Sequence, residues 1–152
     1  MHPEMTKRGP FTVLGVQAQI KRGSETPDLF VGIWKQFESR AQEIELISIG
    51  KHYFGVNFPT DKEDVTDYLA GMMVPDETHV PDGLEKRTVS GGQFAVFECP
   101  VDAIGETYRH IFTVWLPDAP VPFDPAVAVF EEYPEKSSDK LIRIHIPVWQ
   151  ET

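Results

Sequence analysis

The sequence predicts an α+β protein of two fused β-α-β-β units with pseudo-two-fold symmetry, in which an antiparallel sheet carries two helices on one face. Three observations predict this fold. Several short segments alternate between polar and apolar residues, as strands with one buried face do. Two longer segments carry apolar residues at helical spacing. The order strand, helix, strand, strand occurs twice within the 152 residues.

The first half begins with a predicted strand and a helix. The strand runs from Phe11 to Ile20, is rich in β-branched residues, and ends at Gly23-Ser24. Thr26 and Pro27 are residue types that favour a helix N-cap and the first helical position. The helix has one apolar stripe, formed by Phe30, Ile33, Trp34, Phe37, Ala41 and Ile44.

A hairpin completes this half. His52 to Phe58 alternates between the two residue classes and predicts a strand, the polar segment 59–64 predicts a turn, and Asp67 to Val74 predicts the returning strand. Residues 75–83 contain two prolines and predict a connector.

The second half repeats this order. Leu84 to Cys99 is predicted to be extended, with a bend or bulge at Gly91-Gly92. Asp102 is predicted to cap the second helix, which Leu116-Pro117 ends. Its apolar face is formed by Ile104, Tyr108, Ile111, Phe112 and Trp115.

Two further strands close the chain. They are predicted over Val127 to Tyr133 and Leu141 to Trp149, joined by a turn at Ser137-Ser138-Asp139. Alternation in the last strand places four apolar residues on one side and Arg143 and His145 on the other. We therefore expect a single domain over residues 1–152, with halves at about 8–76 and 84–150.

Composition excludes several classes of function. The chain has 14 Lys and Arg against 24 Asp and Glu, and its net charge of −10 argues against direct nucleic-acid binding. A single cysteine, Cys99, excludes an intrachain disulfide. The N-terminus lacks the pattern of a signal peptide, and no segment approaches the ~18 apolar residues of a membrane span. We expect a cytoplasmic protein that does not contact a membrane.

Residues typical of metal or nucleophilic sites do not occur in a recognisable pattern. The five histidines lack metal-ligand spacing, and we expect His52 and His145 to be exposed strand residues. The sequence contains no Gly-x-Ser-x-Gly motif, and Cys99 is expected to be a small buried hydrophobic residue. No metal, cofactor or catalytic nucleophile is predicted.

Glu131 is the sharpest candidate for function. Alternation places it on one face of its strand with Val129 and Tyr133, and Glu132 on the other with Phe130. Both faces are mostly apolar, so one carboxylate is expected in an apolar environment, where its pKa rises or a cation pairs with it. Surrounding rings would add cation–π attraction. The alternative is that Glu131 lies at a sheet edge, in solvent or paired with Arg143.

The tryptophans of the two predicted helices, Trp34 and Trp115, could equally be core residues or pocket walls.

Several segments resemble a known family. Phe130-Glu131-Glu132-Tyr133, followed by Ile144-His145-Ile146-Pro147-Val148, resembles the "F-E-x-Y … I-x-I-P-V" ending of the gyrase-inhibitor-like (GyrI-like) small-molecule-binding domain. This domain is the effector-binding part of multidrug-sensing regulators of the MerR and AraC classes. Tyr68-Leu69-Ala70-Gly71 resembles the family's "Y-x-x-G" strand, Trp115-Leu116-Pro117 its "W-L-P" helix end, and the helix around Trp34 its first helix.

The resemblance implies a pocket between the halves that binds hydrophobic, often cationic, compounds. Glu131 corresponds to the acidic residue of that pocket, and the aromatic residues carry over to Tyr68, Trp115, Trp34 and Phe37. Phe54 completes the predicted ligand-binding set. Asp118-Ala119-Pro120 departs from the acid, Ser and Gly that often follow "W-L-P", so this loop is expected to be reshaped. No helix-turn-helix precedes Phe11, which favours a stand-alone binder.

Three functions are therefore in competition. The first is binding of a hydrophobic cationic compound in a sensing or sequestering role. The second, which the resemblance also implies, is hydrolysis of cyclopropane-type DNA-alkylating natural products, with Glu131 as general base and Tyr68 or Trp115 positioning the substrate. The third is a protein-interaction domain for gyrase or a regulator, which requires the acids at 61–64 and Asp76-Glu77 to share one face.

Overall fold

The computed structural model describes residues 2–21, 27–134 and 141–149, which form eight strands and two α-helices. The strands are β1 (Glu4–Arg8), β2 (Phe11–Lys21), β3 (Tyr53–Pro59), β4 (Val65–Val74), β5 (Glu85–Val89), β6 (Gly92–Cys99), β7 (Val129–Tyr133) and β8 (Ile142–Val148). The helices are α1 (Pro27–Glu45) and α2 (Ile104–His110). The predicted strand end at Gly23-Ser24, the cap at Thr26 and the turn at Ser137-Ser138-Asp139 lie outside the described residues.

One antiparallel sheet contains all the described strands, in the order β1-β6-β8-β7-β3-β4-β2-β5. The inner order is symmetric about the β7–β3 boundary when β2, β3 and β4 are matched with β6, β7 and β8. This arrangement confirms the predicted fold of two β-α-β-β units. The sequence did not predict β1, which lies before β2 but pairs with β6. In the same way, β5 precedes β6 but pairs with β2, so the two halves exchange their leading strands.

The connection between β5 and β6 shows that the sheet is strongly curved. The two strands are six positions apart in the sheet, or ~29 Å if the sheet were flat. Only Ser90 and Gly91 join them, and the three steps from Val89 to Gly92 span at most ~11 Å. The prediction of a bend or bulge within one extended strand at Gly91-Gly92 is therefore wrong. The chain instead leaves one edge of the sheet and enters a strand next to the opposite edge.

The helix-free face is the inside of this curved sheet. Phe11 on β2 and Phe130 on β7 have ring centroids 5.3 Å apart although two strands separate β2 from β7. Phe54 and Phe94 pack against the same ring of Phe130. Neighbouring strands lie ~4.8 Å apart, so these contacts require the sheet to bend toward this face. An aromatic core fills the concave side, and no helix of the described residues belongs to it.

Both helices pack on the other, convex face, as predicted. Phe37 of α1 belongs to a core with Leu14 of β2 and Met72 of β4. Ile111, which follows α2, belongs to a second core with Phe97 of β6 and Ile144 of β8. Neither helix, within the ranges that the structure describes, is long and apolar enough to span a membrane.

The second helical region differs from its prediction in three details. It begins with a 3₁₀ turn at Val101–Ala103 that contains Asp102, and no side chain caps the turn or the helix that follows. The prediction that Asp102 is the N-cap is therefore wrong. After α2 the chain continues as a π-helical segment, Ile111–Trp115, and a 3₁₀ turn, Leu116–Asp118. Leu116-Pro117 therefore lies within the helical region and does not end it. Phe112, which was predicted on the buried face of the helix, is 42% exposed.

Candidate functional site

Glu131 lies in the middle of the sheet and faces the helices. Its strand β7 runs between β3 and β8, with Gly55 and Ile144 directly opposite Glu131. Only 5% of the residue is exposed. Arg143 lies opposite Glu132 rather than Glu131. The alternatives of a sheet edge, solvent exposure or pairing with Arg143 are therefore wrong.

Four neutral donors among the described residues surround the Glu131 carboxylate. Oε1 accepts hydrogen bonds from the hydroxyl groups of Tyr68, at 3.4 Å, and Tyr133, at 3.3 Å. Oε2 accepts from Asn57 Nδ2, at 3.2 Å, and from the Tyr108 hydroxyl. A carboxylate offers about four lone-pair positions, so these donors occupy its hydrogen-bonding capacity.

Strand pairing brings most of these groups together. Asn57 on β3 lies opposite Tyr68 on β4, and both point to the same face as Glu131. Gly55 leaves the necessary room, since a Cβ atom there would lie 2.2 Å from Tyr68 Oη and 3.0 Å from Glu131 Oε1. Tyr108 comes from α2, so the second helix closes the cluster from above the sheet.

Trp34 holds the tyrosines of this cluster in place. Its Nε1 donates a hydrogen bond to Tyr68 Oη at 3.1 Å, and its ring meets that of Tyr133 edge-to-face with centroids 5.5 Å apart. Phe37 packs edge-to-face behind Trp34 at 5.5 Å. The indole therefore serves both as a hydrogen-bond donor to the network and as part of its aromatic wall.

Further rings extend this wall toward the surface. Phe30 meets Tyr68 edge-to-face at 5.0 Å, and Phe112 stacks on Tyr108 at 6.4 Å. Trp34, Tyr108 and Tyr133 are half-buried, whereas the carboxylate beneath them is buried. The site is thus a buried acid covered by partly exposed aromatic side chains.

Burial controls the ionisation of the acid. It raises the pKa of Glu131 to about 7, against the opposing effect of the hydrogen bonds from Tyr108, Tyr133, Tyr68 and Asn57. Burial and the nearby Glu131 carboxylate raise the pKa of all three tyrosines above the usual range, so they stay neutral donors. Near neutral pH, Glu131 changes charge while the groups around it do not.

The structure brings only part of the predicted ligand-binding set together. Tyr68 and Trp34 belong to the Glu131 network, and Phe37 supports Trp34. Trp115 packs edge-to-face on Phe97 in the core beneath the second helix, against which Tyr108 and Tyr133 of the network also pack. Phe54 points to the concave face, where it packs against Phe11 and Phe130.

Five residues of the cluster and its aromatic wall were absent from the predicted set, namely Phe30, Asn57, Tyr108, Phe112 and Tyr133. The sequence held a clue to Tyr133, which follows Glu131 by two residues and therefore shares its face. Asn57 and Tyr108 could not be found in this way. Their approach to Glu131 depends on the pairing of β3 with β7 and on the position of α2 over the sheet.

Glu132 forms a separate cluster on the concave face. Its carboxylate contacts His52 Nδ1 at 2.7 Å, His145 Nε2 at 3.0 Å and Arg8 Nη1 at 3.5 Å. The prediction that His145 is exposed is wrong, since it is 4% exposed and stacks on Phe130 at 4.2 Å. It was missed because the inward curvature that buries this face is not visible in strand alternation.

The pKa of Glu132 is shifted in the opposite direction to that of Glu131. Burial raises the pKa of Glu132, but the hydrogen bonds and charges of His145, His52 and Arg8 outweigh it and lower that pKa to about 2. Burial lowers the pKa of His145.

Beside the cluster lies a cavity of 340 Å³ lined by Arg143 and other charged side chains. Within the described parts of the chain, no group of three His, Cys, Asp or Glu residues is arranged to hold a metal ion.

Comparison with known proteins identifies the family. A family model described as Cass2, integron-associated effector binding protein, matches residues 4–148. The chain belongs to this family. No curated protein sequence matches it significantly.

Three solved structures of low sequence identity share this fold. SAV2435, determined bound to tetraphenylphosphonium, has a TM-score of 0.83 and 14% identity, with 98% of this chain and 94% of that chain covered. The integron cassette protein Cass2 of Vibrio cholerae has a TM-score of 0.75 and 15% identity, with 97% and 96% covered. The C-terminal domain of EcmrR has a TM-score of 0.66 and 14% identity, with 99% and 98% covered. At these identities the likeness establishes the fold.

Proposed function

We propose that the protein binds hydrophobic cationic small molecules at Glu131, in a sensing or sequestering role. The observation that carries the proposal is the buried Glu131 carboxylate beneath the partly exposed side chains of Trp34, Tyr108 and Tyr133. An uncompensated carboxylate in an apolar site favours a positive partner, and aromatic rings attract cations over their faces. Among the described residues, no cationic side chain contacts Glu131, so a ligand can supply the missing charge.

Membership of the effector-binding family supports small-molecule binding. The relation to the GyrI-like domain, proposed from the "F-E-x-Y" resemblance, assigns Glu131 the role of the acidic pocket residue. SAV2435 was determined with tetraphenylphosphonium, a hydrophobic cation. We infer that the present chain takes ligands of the same chemical class, and we keep the cytoplasmic location as a prediction from sequence.

The geometry favours binding over hydrolysis. A general base must offer a lone pair to the water that it activates. The Glu131 oxygens already accept from Tyr68, Tyr133, Asn57 and Tyr108. The raised pKa of Glu131 would suit a base, but its occupied lone pairs do not, so hydrolysis remains the weaker proposal.

The protein-interaction function has less support. It requires the acidic segment 61–64 and Asp76-Glu77 to lie together. These segments adjoin opposite ends of β4, and the 10 residues of β4 are ~33 Å long. The two acidic segments are therefore separated by the length of this strand, which gives a compact acidic surface no support.

Titration with tetraphenylphosphonium tests the proposed function. We expect Glu131→Gln to weaken binding at least about tenfold, since it removes a close opposite charge. Glu98→Gln is the matched control, because it makes the same change in net charge at an exposed position on the opposite face of the sheet. Equal affinities of the wild type and Glu131→Gln would refute the proposal.

A further inference from the structure

We propose that the site selects cations without donor hydrogens, such as quaternary ammonium or phosphonium ions, over protonated amines of the same size. This inference rests on the proposed function and deepens it by naming the class of ligand. It starts from the four hydrogen bonds that the described residues donate to Glu131. These bonds occupy the lone pairs with which a carboxylate would receive an ammonium group.

The two kinds of cation need different partners. A protonated primary amine carries three N–H donors, and it loses its hydrogen bonds to water when it enters a buried site. The ammonium group recovers the free energy of those lost hydrogen bonds only if the site offers it vacant hydrogen-bond acceptors. A quaternary cation has no N–H donors, and its charge is attracted by the carboxylate through space and by ring faces. The occupied carboxylate therefore penalises the amine and leaves the quaternary cation unaffected.

The donors around Glu131 are not easily displaced by an amine. The Tyr68 hydroxyl donates a hydrogen bond to Glu131 and accepts one from Trp34 Nε1, so displacing this hydroxyl breaks two hydrogen bonds. Asn57 Nδ2 donates to the Val129 carbonyl oxygen as well as to Glu131. Both side chains come from central strands of the sheet. An amine that replaced either group would leave a buried polar atom without its partner.

The experiment compares three matched ligands by calorimetry. They share one skeleton of heavy atoms: naphthylmethyl-trimethylammonium, the primary ammonium ion in which the nitrogen and one methyl carbon exchange places, and the neutral tert-butyl analogue of the first. At about pH 8 Glu131 is mostly ionised and the amine is protonated. We expect the quaternary ion to bind at least about tenfold more tightly than the primary ammonium.

Variants separate the hydrogen-bond effect from a simple difference in hydrophobicity. Tyr108→Phe frees one lone pair on Oε2, and Tyr133→Phe frees one on Oε1. In each variant we expect the preference for the quaternary ion to fall severalfold, because the ammonium now finds an acceptor. Tyr53→Phe is the control, since its hydroxyl donates to Glu45, and it should keep the wild-type preference.

Each outcome has a distinct meaning. A preference that persists unchanged in both Tyr108→Phe and Tyr133→Phe overturns the selectivity mechanism. Equal binding of the two cations by the wild type, both tighter than the neutral analogue, overturns the selectivity but leaves the proposed function intact. If neither cation binds more tightly than the neutral analogue, the proposed function itself fails.

Discussion

Glu131 and Glu132 are consecutive on β7, and their carboxylates lie on opposite faces of one sheet with opposite shifts in pKa. Glu131 faces the helices among neutral donors, and its pKa is raised to about 7. Glu132 faces the concave side between His52, His145 and Arg8, and its pKa is lowered to about 2. One strand thus carries an uncompensated acid that suits a cationic ligand and a compensated acid that stabilises the fold.

The affinity for tetraphenylphosphonium should increase with pH. Glu131 is neutral well below its pKa of about 7 and ionised above it, and only the ionised form attracts the cation. Between about pH 8 and pH 5 we expect the dissociation constant to rise toward that of Glu131→Gln, by at least about tenfold and at most ~90-fold, since roughly 1% of a group remains ionised two units below its pKa. Calorimetry across this range measures the effect, and Glu131→Gln should show no such dependence. A flat profile in the wild type contradicts the assignment.

Replacing Glu131 should stabilise the fold at alkaline pH. The folded-state pKa lies above the ordinary value of 4.5, so the stability that the protonated acid provides is complete below about 4.5 and is lost as the pH rises through about 7. We expect Glu131→Gln to be more stable than the wild type by up to ~3 kcal/mol near pH 8 and similar to it near pH 4. Urea unfolding at matched pH values measures this difference. A variant that is less stable than the wild type near pH 8 counts against a buried, uncompensated charge.

Replacing Glu132 should have the opposite effect on stability. Glu132→Gln leaves His145 and Arg8 without their carboxylate and should cost ~3 kcal/mol of unfolding free energy near neutral pH. His52→Gln should cost less than ~1 kcal/mol because the His52 side chain is 49% exposed. Urea unfolding distinguishes the two variants. Cation binding by folded Glu132→Gln should match the wild type, since Glu132 faces away from the proposed site, and a large loss of affinity would contradict that separation.

Adding one methyl group at Gly55 should disrupt the site. In Gly55→Ala the new Cβ would lie 2.2 Å from Tyr68 Oη, so Tyr68 must move and its bond to Glu131 must break. We expect a loss of ~1–3 kcal/mol in stability, typical of overpacking, together with weaker cation binding. Gly32→Ala is the matched control. No atom lies within 4 Å of its added Cβ, and alanine in a helix should raise stability by up to ~1 kcal/mol. Equal unfolding midpoints for the two variants would show that the space at Gly55 is not critical.

Individual elements differ in how far the sequence predicted them. Alternation over Val127 to Tyr133 placed Glu131 and Glu132 on opposite faces, and the structure confirms it. The same reasoning failed at Gly91-Gly92, because local pattern does not show which strand a segment pairs with. It also failed at His145, whose ring packs against Phe130 and Phe94 on other strands of the curved sheet.

The sequence by itself determined both helices, the strands that the two halves repeat and the acid on the buried strand, because periodicity and residue type are local properties of the chain. Only the tertiary structure decided which side chains meet that acid. Tyr68, Asn57 and Tyr108 approach Glu131 because β3 pairs with β7 and α2 packs above them. Phe54 was predicted beside it, but strand pairing directs Phe54 to the concave core, whereas Trp115 packs beneath the second helix on the core that Tyr108 and Tyr133 also contact. These placements follow from long-range pairing and curvature, which a single sequence does not encode in any local pattern.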